Sequence, residues 1–185
     1  MMGVRDLLDR REAPEAALAD VELAHDRMHV AALRGLTDRL VEERLAGGPE
    51  HMQLDPDTSI NAHTWNAALR AAGAALAAVD AVMAGELENA FCCVRPPGHH
   101  ATRSQAMGFC FFNNVAIAAR YALERHGLSR VAVVDFDVHH GNGTEDILSG
   151  DERVLMCGIF QHPFYPFSGD KNPAANMCNV PVPAY

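Results

Sequence analysis

The chain has 185 residues, with 15 Lys+Arg against 24 Asp+Glu and a formal charge of −9. That length predicts one domain, residues 1–185, able to bury a core without disulfide or metal staples. Lys171 is the single lysine and the arginines are scattered, which argues against a nucleic-acid surface built on clustered cations.

The opening stretch carries Asp6, Asp9 and Glu12 where a signal peptide needs an apolar core. Arg70 and Asp80 interrupt the best membrane-spanning candidate, so no membrane partner is expected. Residues 14–45 read as one helix: Pro14 suits a first turn, and Leu18, Val21, His25, Met28, Ala32, Leu36 and Leu40 recur near helical spacing. HMQLDPDTSIN, residues 51–61, is polar and proline-broken and reads as a loop. Trp65, Leu69, Ala72, Leu76, Val79 and Met83 then step by 4, 3, 4, 3, 4, a core-facing stripe on a second helix that ends near Gly85.

From Ala90 short apolar runs alternate with helical segments. AFCCV, VAVVDF and RVLMCGI read as strands; NNVAIAARYALERHG and GTEDILSG read as helices, with Asn113 or Asn114 as a cap and Gly127 as a stop. Strands apolar on both faces, separated by helices, predict an α/β fold with a parallel sheet and helices on both faces. Cys92, Cys93, Cys110, Cys157 and Cys178 show no C-x-x-C spacing. They read as reduced, mostly buried thiols of a cytoplasmic protein.

Ligands of an open parallel sheet bind beyond the carboxyl ends of its strands. Two polar clusters fall there, Arg95–His100 after AFCCV and Asp135–Gly143 after VAVV, and neighbouring parallel strands would bring them together. Asp135, Asp137 and His139 alternate onto one face of an extended chain. A carboxylate and an imidazole so placed suit a divalent cation such as zinc, and a deeper carboxylate can orient an imidazole. Pro96, Pro97 and Gly98 turn the chain ahead of His99 and His100, whose neutral imidazoles suit acid–base work.

RPPGHHA (95–101), GFCFFNN (108–114) and VDFDVHHGNGT (134–144), with weaker matches in LDPDT, HPFYPFSG and NVPVP, resemble the histone deacetylase superfamily, which includes acetylpolyamine amidohydrolases. Asn142 is similar to the class II branch. The resemblance implies an arginase/deacetylase-like fold and a zinc-dependent hydrolase that removes acyl groups from lysine or polyamine amines. It implies Asp137 and His139 as two zinc ligands, and His99 and His100 as paired catalytic histidines, His100 being the base and then the acid. Asp135 would hydrogen-bond His99 and Asn142 would stand behind His100. Gly108 would line the acyl site, Phe109 and Tyr165 would wall its channel, and Asp55 or Asp57 would hold the substrate backbone. A potassium ion near Asp135, Asp137 and His139 is also implied.

The family's third metal ligand, in a G-F-D-like segment, its G-G-Y-like tyrosine and its opening H-P-E-like strand do not occur in this sequence. An incomplete domain is therefore expected, nearly inactive by itself and prone to self-association through an apolar sheet edge. Two other readings compete. Val131–Val138 resembles the nucleophile strand of haloacid-dehalogenase-like phosphatases, in which Asp135 attacks phosphorus and Asp137 serves as acid and base with magnesium. A non-catalytic module that binds acylated ligands is the third.

Overall fold

The computed structural model describes residues 8–184; Asp6 of the acidic opening and Tyr185 lie outside that range. In chain order the elements are α1 (Leu18–Val21), α2 (Arg27–Leu45), β1 (His51–Gln53), β2 (Ser59–Asn61), α3 (Thr64–Met83), α4 (Asn114–Glu124), β3 (Val131–Asp135), α5 (Asn142–Leu148), β4 (Val154–Gln161) and β5 (Met177–Val182). The α/β class holds. β3, β4 and β5 form a parallel sheet in that order. Val133, Met156 and Met177 share a register row and are buried, and they join Ile117, Leu123 and Ile147 of α4 and α5 in the core. On the opposite face Val134, Leu155, Ile159 and Val180 are 43–67% exposed, so among the described residues α4 and α5 cover one face.

AFCCV is not a strand. Residues 90–94 form no ladder, Phe91 is 91% exposed, and the β3 edge away from β4 is unpaired among the described residues. An apolar run expresses a need for burial, whereas a strand also needs a partner to take its backbone hydrogen bonds. The thiols also differ from expectation: Cys110 is buried, while Cys92 and Cys93 in this unpaired run and Cys178 on the uncovered face of β5 are exposed. Residues 51–61 are a β-hairpin rather than a plain loop, with Met52 paired to Ile60. α3 reaches the length and mean hydropathy, 1.2, of a spanning helix, despite Arg70 and Asp80. Its Trp65, Leu69, Ala72 and Leu76 nevertheless pack into the core, and Asp80 lies 2.8 Å from His126 Nε2.

The predicted long helix breaks between α1 and α2. Asp26 N–H donates to Arg103 O at 2.9 Å, and His25 turns inward so that its Nε2 accepts Asn113 N–H at 2.8 Å. These bonds outweigh local helix propensity and reset the phase of α2. Val30, Leu33, Thr37 and Leu40 face inward, and Met28 is 80% exposed.

His25 is 2% exposed, and its Nδ1 faces Arg103 O at 3.3 Å, so the neutral ring already uses both nitrogens. Burial first, then the neighbouring His29, pushes its pKa from 6.5 down to about 4. Between those values the unfolded chain takes up a proton that the folded chain refuses. Its contribution is whole above pH 6.5 and is lost as pH falls through about 4, a change of about 3 kcal/mol. Urea midpoints measured against pH should show this fall, and His25→Gln should flatten it. An unchanged slope in the variant would assign the acid loss to other groups.

Candidate active site

Backbone bonds, not a shared β-ladder, bring the two polar clusters together. Gly143 N–H and Thr144 N–H both donate to His99 O, at 3.0 and 3.1 Å. Asn113, the cap of α4, accepts Ala116 N–H and donates its amide to Ala101 O and Thr144 Oγ1, each at 3.1 Å. α4, α5 and the histidine segment are thereby locked as one unit.

This frame sets the side chains. His99 Nδ1 lies 2.9 Å from Asp135 Oδ2, and Asp135 Oδ1 accepts Asp137 N–H at 3.1 Å. His100 Nδ1 lies 2.8 Å from Asn142 Oδ1, while the Asn142 amide nitrogen donates to Met107 Sδ at 3.4 Å. An amide oxygen only accepts, so His100 carries its proton on Nδ1 and presents a bare Nε2. The His99 and His100 rings are 4.0 Å apart. Burial, then the neighbouring His99, lowers His100 to about 4, which leaves it neutral at physiological pH.

Asp137 Oδ1 accepts His139 N–H at 2.8 Å and lies 2.9 Å from His139 Nδ1. His99 Nε2 is 4.0 Å from the same oxygen. Asp135, Asp137 and His139 do gather on one side, because the chain bends beyond Asp135 rather than by strand alternation. Burial alone would raise the Asp137 pKa; the two bonds from His139 and the nearby histidines hold it below the ordinary carboxylate value. One carboxylate and one imidazole with converging donors fit a zinc-type cation. They would supply two of the three protein ligands that a catalytic zinc takes, and no group of three His, Cys, Asp or Glu placed to hold a metal ion occurs among the described residues.

Gly108 packs directly on His100: a Cβ there would sit 2.4 Å from the His100 ring. Gly108 and Phe109 are both left-handed, with φ of 56° and 64°, a backbone state that costs a residue with a Cβ about 1–2 kcal/mol. The Tyr165 ring meets His100 edge-on at 5.1 Å. Its hydroxyl is pushed up to about 12 by burial and by Asp57 and Asp55. Asp55 faces its own turn, where Oδ1 accepts Asp57 N–H at 3.0 Å and Thr58 N–H at 2.6 Å. An open cleft of about 360 Å³, lined by Asn61, His63, Arg95 and Phe109 among others, does not include His99, His100 or His139.

Three contributors carry little signal in the sequence. Phe164 stacks on His139 at 5.0 Å and 12°. His140 is buried between Ser168 Oγ, 2.8 Å from its Nδ1, and Glu145, and ties the 162–169 loop to α5. Thr58 Oγ1 accepts Phe109 N–H at 2.9 Å. All three lie within recognisable motif segments, but nothing local says which way they point.

Residues 2–185 match the histone deacetylase domain family. A histone deacetylase-like amidohydrolase of Pseudomonas aeruginosa is 40% identical over 188 aligned positions, covering 97% of this chain and 47% of that protein. A probable deacetylase of Archaeoglobus fulgidus is 40% identical across 84% of this chain and 40% of its own length. The crystal structure of the HDA15 HD domain superposes with a TM-score of 0.82 at 33% identity, covering 92% of this chain and 49% of that one. The chain thus spans about half the length, or less, of these relatives. With these motifs, this fold and this extent of match, the chain belongs to the histone deacetylase domain family.

Proposed function

We propose that the protein hydrolyses acyl-amide bonds, removing acetyl groups from lysine side chains or polyamines with the help of a divalent cation held by Asp137 and His139. The observation that carries this reading is the 2.8 Å contact of His100 Nδ1 with Asn142 Oδ1, which fits a neutral imidazole protonated on Nδ1 with its Nε2 left without a hydrogen-bond partner among the described residues. The cation, zinc in the family's chemistry, supplies Lewis acidity to an acyl carbonyl and to water. His100 Nε2 takes a proton from water as its oxygen attacks the acyl carbon, then returns that proton to the amine nitrogen as the C–N bond breaks. Acetic acid and the amine leave, the acid's proton passing to the amine so that acetate and an ammonium ion result. His99, bonded to Asp135, packs against the His100 ring and holds it in place.

The phosphatase reading loses its nucleophile. Both Asp135 oxygens are engaged, one with His99 and one with Asp137 N–H, and the side chain is 15% exposed.

Acetate release from acetyl-lysine peptide and acetylputrescine tests the proposal. The zinc-supplied chain is assayed alone and with the second half of the Pseudomonas relative added in trans. Release above the His100→Ala background supports it. Acetyl-lysine binding without release in either arrangement would favour the non-catalytic acyl-binding module. The uncovered sheet face and the unpaired β3 edge also support self-association. Sedimentation should show mass rising with concentration; a constant monomer mass would remove that part.

A further inference from the structure

Met107 to Cys110 form a tight turn closed on both sides, with Met107 N–H donating to Cys110 O at 3.1 Å and Cys110 N–H donating to Met107 O at 2.9 Å. Both central residues, Gly108 and Phe109, have positive φ, the pattern of a type I′ turn, in which Asn-Gly or Gly-Gly is favoured. A phenylalanine in the second central position is held against its own preference. Its ring does not do the holding, since Phe109 is 56% exposed. Gly108 has no side chain to contribute, and none could be added beside His100.

The restraint comes from 51 residues earlier in the chain. Phe109 N–H donates to Thr58 Oγ1 at 2.9 Å, and Thr58 Oγ1 donates onward to Asp57 Oδ1 at 3.1 Å. Thr58 is fully buried, and its own N–H donates to Asp55 Oδ1 at 2.6 Å. The hydroxyl therefore has a defined donor and a defined acceptor, and it joins the β1–β2 turn to the turn that lies on His100. A strained residue kept in place by a partly buried bond to a buried side chain, with its own side chain left partly in solvent, is the pattern expected at a functional wall.

We propose that Thr58 is the positioning residue of the acyl channel: its hydroxyl holds Phe109 N–H and so fixes the Gly108–Phe109 backbone against His100. This deepens the deacylase reading and rests on it. Thr58→Val keeps the shape and removes the hydroxyl, while Thr58→Ser keeps the hydroxyl.

Amide exchange followed by NMR on the whole chain tests the restraint without any turnover. Phe109 N–H should exchange about tenfold faster or more in Thr58→Val and return to within about threefold of the parent in Thr58→Ser. Ala116 N–H, bonded to Asn113 Oδ1, is the control and should stay within about twofold. Unchanged Phe109 exchange in Thr58→Val, or acceleration of Ala116 alongside it, overturns the proposal. In the acetate assay Thr58→Val should raise KM about tenfold with kcat within about twofold, and Thr58→Ser should restore KM. Faster Phe109 exchange with an unchanged KM would reject the channel role and leave the deacylase reading intact. No turnover by the parent, either alone or with the second half of the Pseudomonas relative added in trans, would reject the deacylase reading, and the channel assignment with it, whatever the exchange rates.

Discussion

Gly143→Ala is expected to lower the stability of the chain by about 3 kcal/mol, the upper end of the usual range for overpacking. A Cβ at this position would lie 2.2 Å from Ala101 O, 2.5 Å from Ala101 C and 2.6 Å from His100 C. All three are backbone atoms, so no side chain can swing aside. Relief would require moving α5 away from the histidine segment, and that would break the two bonds donated to His99 O by Gly143 and Thr144. For a chain of this size the loss corresponds to a fall of about 10 °C in Tm. Gly150→Ala is the matched control. Its φ is +81° and nothing lies within 4 Å of the added Cβ, so the cost is that of left-handed backbone alone, about 1 kcal/mol. A Gly143→Ala chain that melts within about 2–3 °C of the parent, the equivalent of 1 kcal/mol, would show that the two segments do not cross this closely.

The second large effect is on chemistry. His100→Ala should reduce acetate release by about 10²–10⁴-fold, the range for removing a positioned acid–base group. His100 alone combines a free Nε2 with an Nδ1–H held by Asn142 at 2.8 Å. The cavity left between Gly108 and Tyr165 should change Tm far less than Gly143→Ala does, which separates loss of chemistry from loss of fold. Asn142→Ala should leave the ring in place but free to choose either tautomer, giving a smaller loss in kcat. If His100→Ala and the parent released acetate at equal rates, the general-base role would fail even with the fold intact.

Much of the candidate site is legible in the order of residues. The spacing of Asp135, Asp137 and His139 and the doublet His99–His100 single these residues out, by residue type alone, as the ones proposed for metal and acid–base roles. The predicted partnerships of Asp135 with His99 and of Asn142 with His100 both appear as bonds, at 2.9 and 2.8 Å. The cause of their convergence is not legible in the same way. Apolar runs point to adjacent parallel strands, whereas the backbone bonds from Gly143 and Thr144 to His99 O bring the clusters together, and residues 90–94 remain unpaired. Helix α3 is legible because its apolar stripe is long and uninterrupted. The break before α2 is not, because it depends on a bond from His25 to Asn113, 88 residues away.

Residue order alone determined the class of fold and singled out the residues proposed for the chemistry, since periodicity reports which faces seek burial and clustered polar groups after apolar runs report where they are spared it. The tertiary structure decided which atoms meet. It selected the proton-bearing nitrogen of His100, turned Asp55 into its own hairpin, laid Phe164 over His139 and placed the Thr58 hydroxyl under Phe109. Each of these is a contact between segments far apart in the chain or a choice among side-chain directions that local sequence leaves equal in energy. Only the packing of the whole unit removes that degeneracy.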